Sequence, residues 1–149
     1  MLDNVKIYND LKTKVNENNI FLNEPMSLHT SFRTGGNADV FIKIQNENEL
    51  EYILKYAKEN QIPITIIGNG TNLLVRDKGI RGIVIKFQMQ DVKIEENGDT
   101  ITIITGAGMS LSKLSRIAKE HSAQGLEFAV RNTGNCWWSN QNECRSIWL

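Results

Sequence analysis

The residues best suited to chemistry lie in one short segment, Ile66-Ile67-Gly68-Asn69-Gly70-Thr71-Asn72-Leu73-Leu74-Val75. An apolar run leads into a loop of small and polar residues. Gly68 and Gly70 permit positive φ and put no side chain between the main chain and a ligand. Successive N–H groups in such a loop can form a nest for an anion. Thr71 and Asn72 add short side-chain donors. A phosphate or pyrophosphate is the natural guest, although spacing alone fits a plain glycine turn between two strands equally well. The Rossmann fingerprint is absent. Leu73 stands where a third glycine belongs, and Leu73-Leu74-Val75 reads as extended chain, so no helix opens at the loop. The lysine of a P-loop is missing too.

Other chemistry-bearing residues are less sharply placed. Arg33 could meet a phosphate or stand as a solvated loop arginine. His29 and His121 have no partner at metal-ligand spacing, which favours surface or capping roles. Glu51, Lys55, Lys58 and Glu59 read as the solvated face of a helix. Cys136 and Cys144, with seven residues between them, match no strong metal pattern, and a reducing compartment argues against a disulfide.

The elements that must position the loop follow from periodicity. Tyr8, Leu11 and Val15 share a helical face within residues 3–18. Pro25 opens a loop that runs through the turn-rich Arg33-Thr34-Gly35-Gly36-Asn37. Residues 38–44 alternate as a strand. A helix follows, with Asn46 as cap, Glu49 three residues on, and Leu50, Ile53, Leu54 and Ala57 as the apolar stripe. Residues 62–67 form a second, nearly all-apolar strand, and this strand-helix-strand unit requires parallel strands. Residues 82–87 make a third. Asn97-Gly98 between β-rich runs predicts a hairpin, with positive φ at both residues. Ser110 caps a last helix over 111–121, with Leu111, Leu114, Ile117 and Ala118 facing inward.

Composition narrows the function. The 17 basic and 17 acidic residues balance, which argues against a nucleic-acid binder. The start is polar, without the apolar stretch of a signal peptide, and no run is long enough to span a bilayer. These features point to a soluble, cytoplasmic protein that binds neither nucleic acid nor membrane.

Five segments in order resemble the UDP-N-acetylenolpyruvoylglucosamine reductase family, part of the vanillyl-alcohol-oxidase-like FAD-binding superfamily. Residues 29–39, His-Thr-Ser-Phe-Arg-Thr-Gly-Gly-Asn-Ala-Asp, are similar to its opening motif. Residues 67–75 resemble its flavin pyrophosphate loop, with Asn69 and Thr71 in place of a glycine and a serine. Residues 79–84, Gly106-Ala107-Gly108 and residues 125–129 resemble three later segments. The resemblance covers roughly residues 27–129. It implies FAD as cofactor, with Gly68, Asn69, Gly70, Thr71, Asn72 and Leu73 as the binding residues. It also implies NADPH as reductant and a UDP-sugar enolpyruvate as substrate, reduced to UDP-N-acetylmuramate. The family's catalytic serine, glutamate and arginine fall downstream of the residues present, so no residue here is assigned a catalytic role. Glu127 would be structural near the flavin site.

The character of the chain changes after Ala129. Both cysteines and all three tryptophans fall among the final residues, and 131–149 show neither helical nor strand periodicity. The family continues Gly-Ile-Pro-Gly-Thr-Val-Gly-Gly and later Asn-Ala-Gly-Ala-Tyr-Gly. Back-translating from Arg131 and reading one nucleotide later allows Gly-Ile-Pro-Gly-Thr-Val-Gly-Gly-Ala-Ile-Lys-Met-Asn-Ala-Gly-Ala-Tyr-Gly. The codons of Trp137, Trp138 and Ser139 force the Gly-Gly. The tail is therefore expected to be out of frame, by mutation or by a sequencing error.

The expected fold is α+β. It comprises a helix and linker (1–24), a small parallel β-α-β lobe (25–88), the start of a second FAD-binding lobe with antiparallel strands (89–129), and the aberrant tail (130–149). The expected function is that of a flavin reductase fragment, inactive alone. The alternatives are a non-catalytic nucleotide-binding or interaction module, or another oxidase of the superfamily.

Overall fold

The computed structural model describes residues 3–141, which part into two compact units after Phe87. In the first unit, α1 (Asn4–Leu11) begins where the Asp3 carboxylate accepts the N–H groups of Val5 and Lys6 at 3.1 and 3.0 Å. It is shorter than the sequence suggests, although Val15 beyond it is still buried. Residues expected as linker instead form β1 (Ile20–Pro25), antiparallel to β2 (Asn37–Ile44). Only Ile20 of β1 is fully buried, so this edge strand carries almost no alternation to read.

Helix α2 (Glu47–Glu59) starts as its cap residues dictate. Asn46 Oδ1 accepts the Glu49 N–H at 2.9 Å, and the Glu49 carboxylate reaches back to the N–H of Gln45, also at 2.9 Å. That is one residue earlier than a capping box specifies. Ile53 and Ala57 are buried, whereas Leu54, expected in the stripe, is 42% exposed. The chain then enters β3 (Ile64–Ile67) and β4 (Ile80–Phe87).

The sheet order is β1-β2-β4-β3, with β4 parallel to both β2 and β3. The two strands of the β-α-β unit are thus parallel but not adjacent, because β4 inserts between them. β2 is buried along most of its length, on both faces. Phe41 packs with Met26, Ala38, Ile67, Val75 and Val84 under the loops. Val40, Ile42 and Ile44 point the other way and are left for α1 and α2, both of which pack on β2.

The second unit is smaller. Its hairpin pairs β5 (Val92–Asn97) with β6 (Thr100–Thr105). Because Asn97 pairs with Thr100, the turn is centred on Gly98-Asp99 and not on Asn97-Gly98. Gly98 alone has positive φ (61°), the II′ pattern with glycine in the first central position. Helix α3 (Leu111–Glu120) is capped by the Ser110 hydroxyl, which accepts the Lys113 N–H at 3.3 Å. Leu111, Ser115 and Ala118 form its buried face, whereas Leu114 and Ile117 are half-buried.

The main chain of 134–137 is laced to 107–111. Leu111 N–H donates to the Gly134 carbonyl (3.1 Å), Cys136 N–H to that of Met109 (2.9 Å) and Trp137 N–H to that of Ala107 (3.0 Å). A short helix, α4 (Cys136–Gln141), follows where the sequence shows no periodicity. Cys144 and Trp148 lie outside the described residues. Among the described residues, no helix is long and apolar enough to cross a membrane, and no His/Cys/Asp/Glu cluster could hold a metal.

Candidate functional site

β2, β4 and β3 run in the same direction, and the polar loop leaves the carboxyl end of β3. Crevices at this end of parallel strands are the usual ligand sites of such sheets. Here a second loop, residues 28–33, lies beside the first. The Ser31 N–H donates to the Gly70 carbonyl at 3.0 Å. Gly70 has φ +70°, and a Cβ there would stand 1.9 Å from the His29 carbonyl oxygen. The glycine is therefore required by loop-to-loop packing as well as by the turn. Gly68 is buried without positive φ.

Beside these loops is a cleft of about 330 Å³ lined by Leu28, His29, Thr30, Ser31, Arg33, Asn69 and Lys86. Two of these side chains are cationic and none is a carboxylate. Among the described residues, the amides of Gly70, Thr71 and Asn72 donate to no protein acceptor. No helix opens at the loop, in keeping with its non-Rossmann spacing.

The predicted site residues therefore divide. Asn69 lines the cleft; Thr71, half-buried, and Asn72, exposed, follow it in the loop without lining the cleft. Leu73 differs, because it packs on the apolar cluster of Met26, Phe41 and Val75. Its contribution is to hold the loop down. Sequence reasoning missed Lys86, which sits within an apolar strand pattern. Burial, and then the neighbouring Lys43 on β2, push the Lys86 ammonium below the ordinary lysine range. Arg33 does line the cleft, from a left-handed backbone position with φ 52°.

His29 is not a surface residue. Its Nε2 lies 2.8 Å from Glu24 Oε1, and its ring stacks on Phe41 at 4.0 Å. His121 caps the end of α3 and meets Glu96 at 3.1 Å. Glu127 is fully exposed and accepts the Gly125 N–H. Hydrogen bonds from its own amide and from that of Gly125 hold its carboxyl below the usual range, so it is an ionised loop brace and not a proton donor. Burial raises the Cys136 thiol, which leaves it unreactive.

A cleft at the carboxyl ends of parallel strands, with unengaged amides and two cations nearby, is chemically suited to an anionic guest. The FAD binding domain family matches residues 38–135, and the chain belongs to that family. The chain is also similar to proteins named UDP-N-acetylenolpyruvoylglucosamine reductase. It is 44% identical over 128 residues to that of Alkaliphilus oremlandii (strain OhILAs), covering 86% of this chain and 41% of the relative. It is 39% identical over 136 residues to that of Staphylococcus haemolyticus (strain JCSC1435), covering 91% and 43%. The chain thus spans about two fifths of the length of the curated relatives it matches. Among solved structures, the UDP-N-acetylenolpyruvylglucosamine reductase from Thermus caldophilus superposes with a TM-score of 0.57 at 24% identity. That match covers 78% of this chain and 38% of the other, and supports the fold alone. The α+β reading, with a mixed sheet and few helices, is that of the FAD-binding domain.

Proposed function

We propose that this chain is the amino-terminal, FAD-binding portion of a UDP-N-acetylenolpyruvoylglucosamine reductase, with residues 68–72 receiving the flavin dinucleotide's pyrophosphate. The observation that carries this is the set of unengaged amides at Gly70, Thr71 and Asn72 beside a cation-lined cleft that holds no carboxylate. A pyrophosphate fits that donor set in charge and in hydrogen-bonding capacity. In this reading residues 68–72 would hold FAD, and the cofactor would supply the hydride-transfer chemistry that links NADPH to the enolpyruvyl group of a UDP-sugar. The described residues contribute binding: amides orient the phosphates, the Ser31-to-Gly70 bond fixes the loop, and Phe41, Leu73 and Val75 hold it on the sheet.

The family's serine, glutamate and arginine have no counterparts among these residues, so reduction of the UDP-sugar by the chain alone is expected to be undetectable. The tail is best read as out of frame. Ser139 supports this: it is 3% exposed, its hydroxyl has no partner among the described residues, and the shifted reading places Ala there. An unsatisfied buried hydroxyl costs roughly 1–3 kcal/mol, which an alanine would avoid. The nucleotide sequence through these codons tests it, and a closed shifted frame would sink the reading.

Titration of the purified chain with FAD, followed by flavin fluorescence and by amide NMR, tests the binding assignment. Weak, reversible binding is expected, with shifts centred on residues 69–72. A stoichiometric yellow protein would overturn the expectation of weak retention. Saturating FAD that leaves those amides unmoved would remove the site.

A further inference from the structure

Lys86 is the residue of this cleft that the loop reading leaves unexplained. It stands on a central strand, half-buried. In register beside it is Lys43 of β2, a second lysine on the same face. The Lys43 ammonium lies 4.6 Å over the Phe21 ring and so has a partner of its own. Lys86 has none: among the described residues no carboxylate lies within ion-pair distance and no acceptor takes its hydrogens. Glu24, the carboxylate that meets the cleft residue His29, is engaged there at 2.8 Å. Arg33 at the cleft mouth adds a second cation and no relief.

A half-buried ammonium facing a like charge is costly to retain, since burial and repulsion both favour its neutral form. A counter-ion in the cleft reverses both penalties. The amides of Gly70, Thr71 and Asn72, which follow the cleft-lining Asn69 in the chain, suit the same kind of guest. We propose that the Lys86 side chain is the counter-ion of the phosphate group bound at residues 70–72, so that a positioning residue from β4 completes an anion site otherwise made of loop main chain. This rests on the assignment of the loop to a phosphate-bearing cofactor and names which cation of the cleft meets the phosphate.

The test uses the whole chain and three probes: FAD, inorganic pyrophosphate and riboflavin, which carries no phosphate. Lys86→Met is expected to weaken pyrophosphate and FAD by about tenfold or more, the scale of one charge-assisted hydrogen bond, and to leave riboflavin unchanged. Lys86→Arg should recover most of the loss. Lys43→Met should change pyrophosphate binding far less than Lys86→Met. In the unmodified chain, the Lys86 side-chain NMR signal should report a rise in its pKa on saturation with pyrophosphate, which a purely structural lysine would not show. Equal pyrophosphate affinity in the wild type and Lys86→Met would overturn the inference while the loop assignment stood. A wild-type chain that bound neither FAD nor pyrophosphate would take both down. If Lys86→Met did not fold, an ammonium whose pKa ignored pyrophosphate would be equally decisive against it.

Discussion

β2 and β4 of the first unit and β5 and β6 of the second are strands of comparable length in opposite surroundings. β2 is covered by helices on one side and loops on the other, and β4 is buried over most of its length. No residue of β5 or β6 is fully buried. The difference follows from connectivity. Parallel strands need crossovers, and crossovers cover faces; a hairpin closes on itself and covers nothing. The polar loop belongs to the first kind of structure. It is held by a packed sheet beneath it, and a rigid support is what a set of main-chain donors needs in order to bind an anion.

The largest test of that contrast is Phe41→Ala. Phe41 is fully buried, stacks on His29 and roofs the apolar cluster beneath the loop. Its removal should cost about 3–5 kcal/mol in urea unfolding. Ile103→Ala on the half-buried face of β6 should cost roughly 1 kcal/mol. Comparable losses would mean that the hairpin is as integral to a core as β2 is. Gly70→Ala should come next, at roughly 1–3 kcal/mol, since it combines positive φ with a clash on the His29 carbonyl. It should displace the 28–33 loop and weaken pyrophosphate binding, whereas Gly98→Ala should leave binding untouched. Gly98 shares the positive φ, but nothing lies within 4 Å of its Cβ position. An unaltered pyrophosphate affinity in Gly70→Ala would separate the loop's packing from its binding role.

The same contrast explains what could be read from the sequence. The start and buried face of α2 were legible because Asn46, Glu49, Ile53 and Ala57 are local signals. The loop was legible as a polar, glycine-bearing turn after an apolar strand, but its spacing alone fits a plain turn as well as a ligand site. β1 was hidden because only Ile20 in it is fully buried, so the strand carries too few inward apolar residues to mark a period of two. The position of β4 between β2 and β3 is a long-range choice that no local pattern encodes. The hairpin turn slipped by one residue because Gly98 can occupy either central position and only the Asn97–Thr100 pairing decides. Lys86 escaped notice because its meaning lies in what surrounds it: a cleft shared with Arg33 and Asn69, Lys43 at its side and, among the described residues, no acid within ion-pair distance.

The smallest effect concerns how the helical layer of the first unit is pinned. Tyr56 of α2 donates its hydroxyl to Asp10 Oδ2 of α1 at 2.8 Å. Burial, with Asp10's hydrogen bond and charge adding to it, pushes the Tyr56 hydroxyl from 10.0 up to about 12. The folded chain therefore keeps a proton that the unfolded chain releases in this interval. Stability from this contact is complete below the unfolded value and is lost as pH rises through the folded one. Amide protection factors in α1 and α2, corrected for base-catalysed intrinsic exchange, should fall over that alkaline range ahead of those in β5 and β6. Tyr56→Phe, which has no proton to lose, should abolish this early response while lowering protection slightly at neutral pH through loss of the hydrogen bond. Should both units loosen together in the wild type and in Tyr56→Phe alike, the alkaline response would belong to the chain's overall charge and not to this one link between helices.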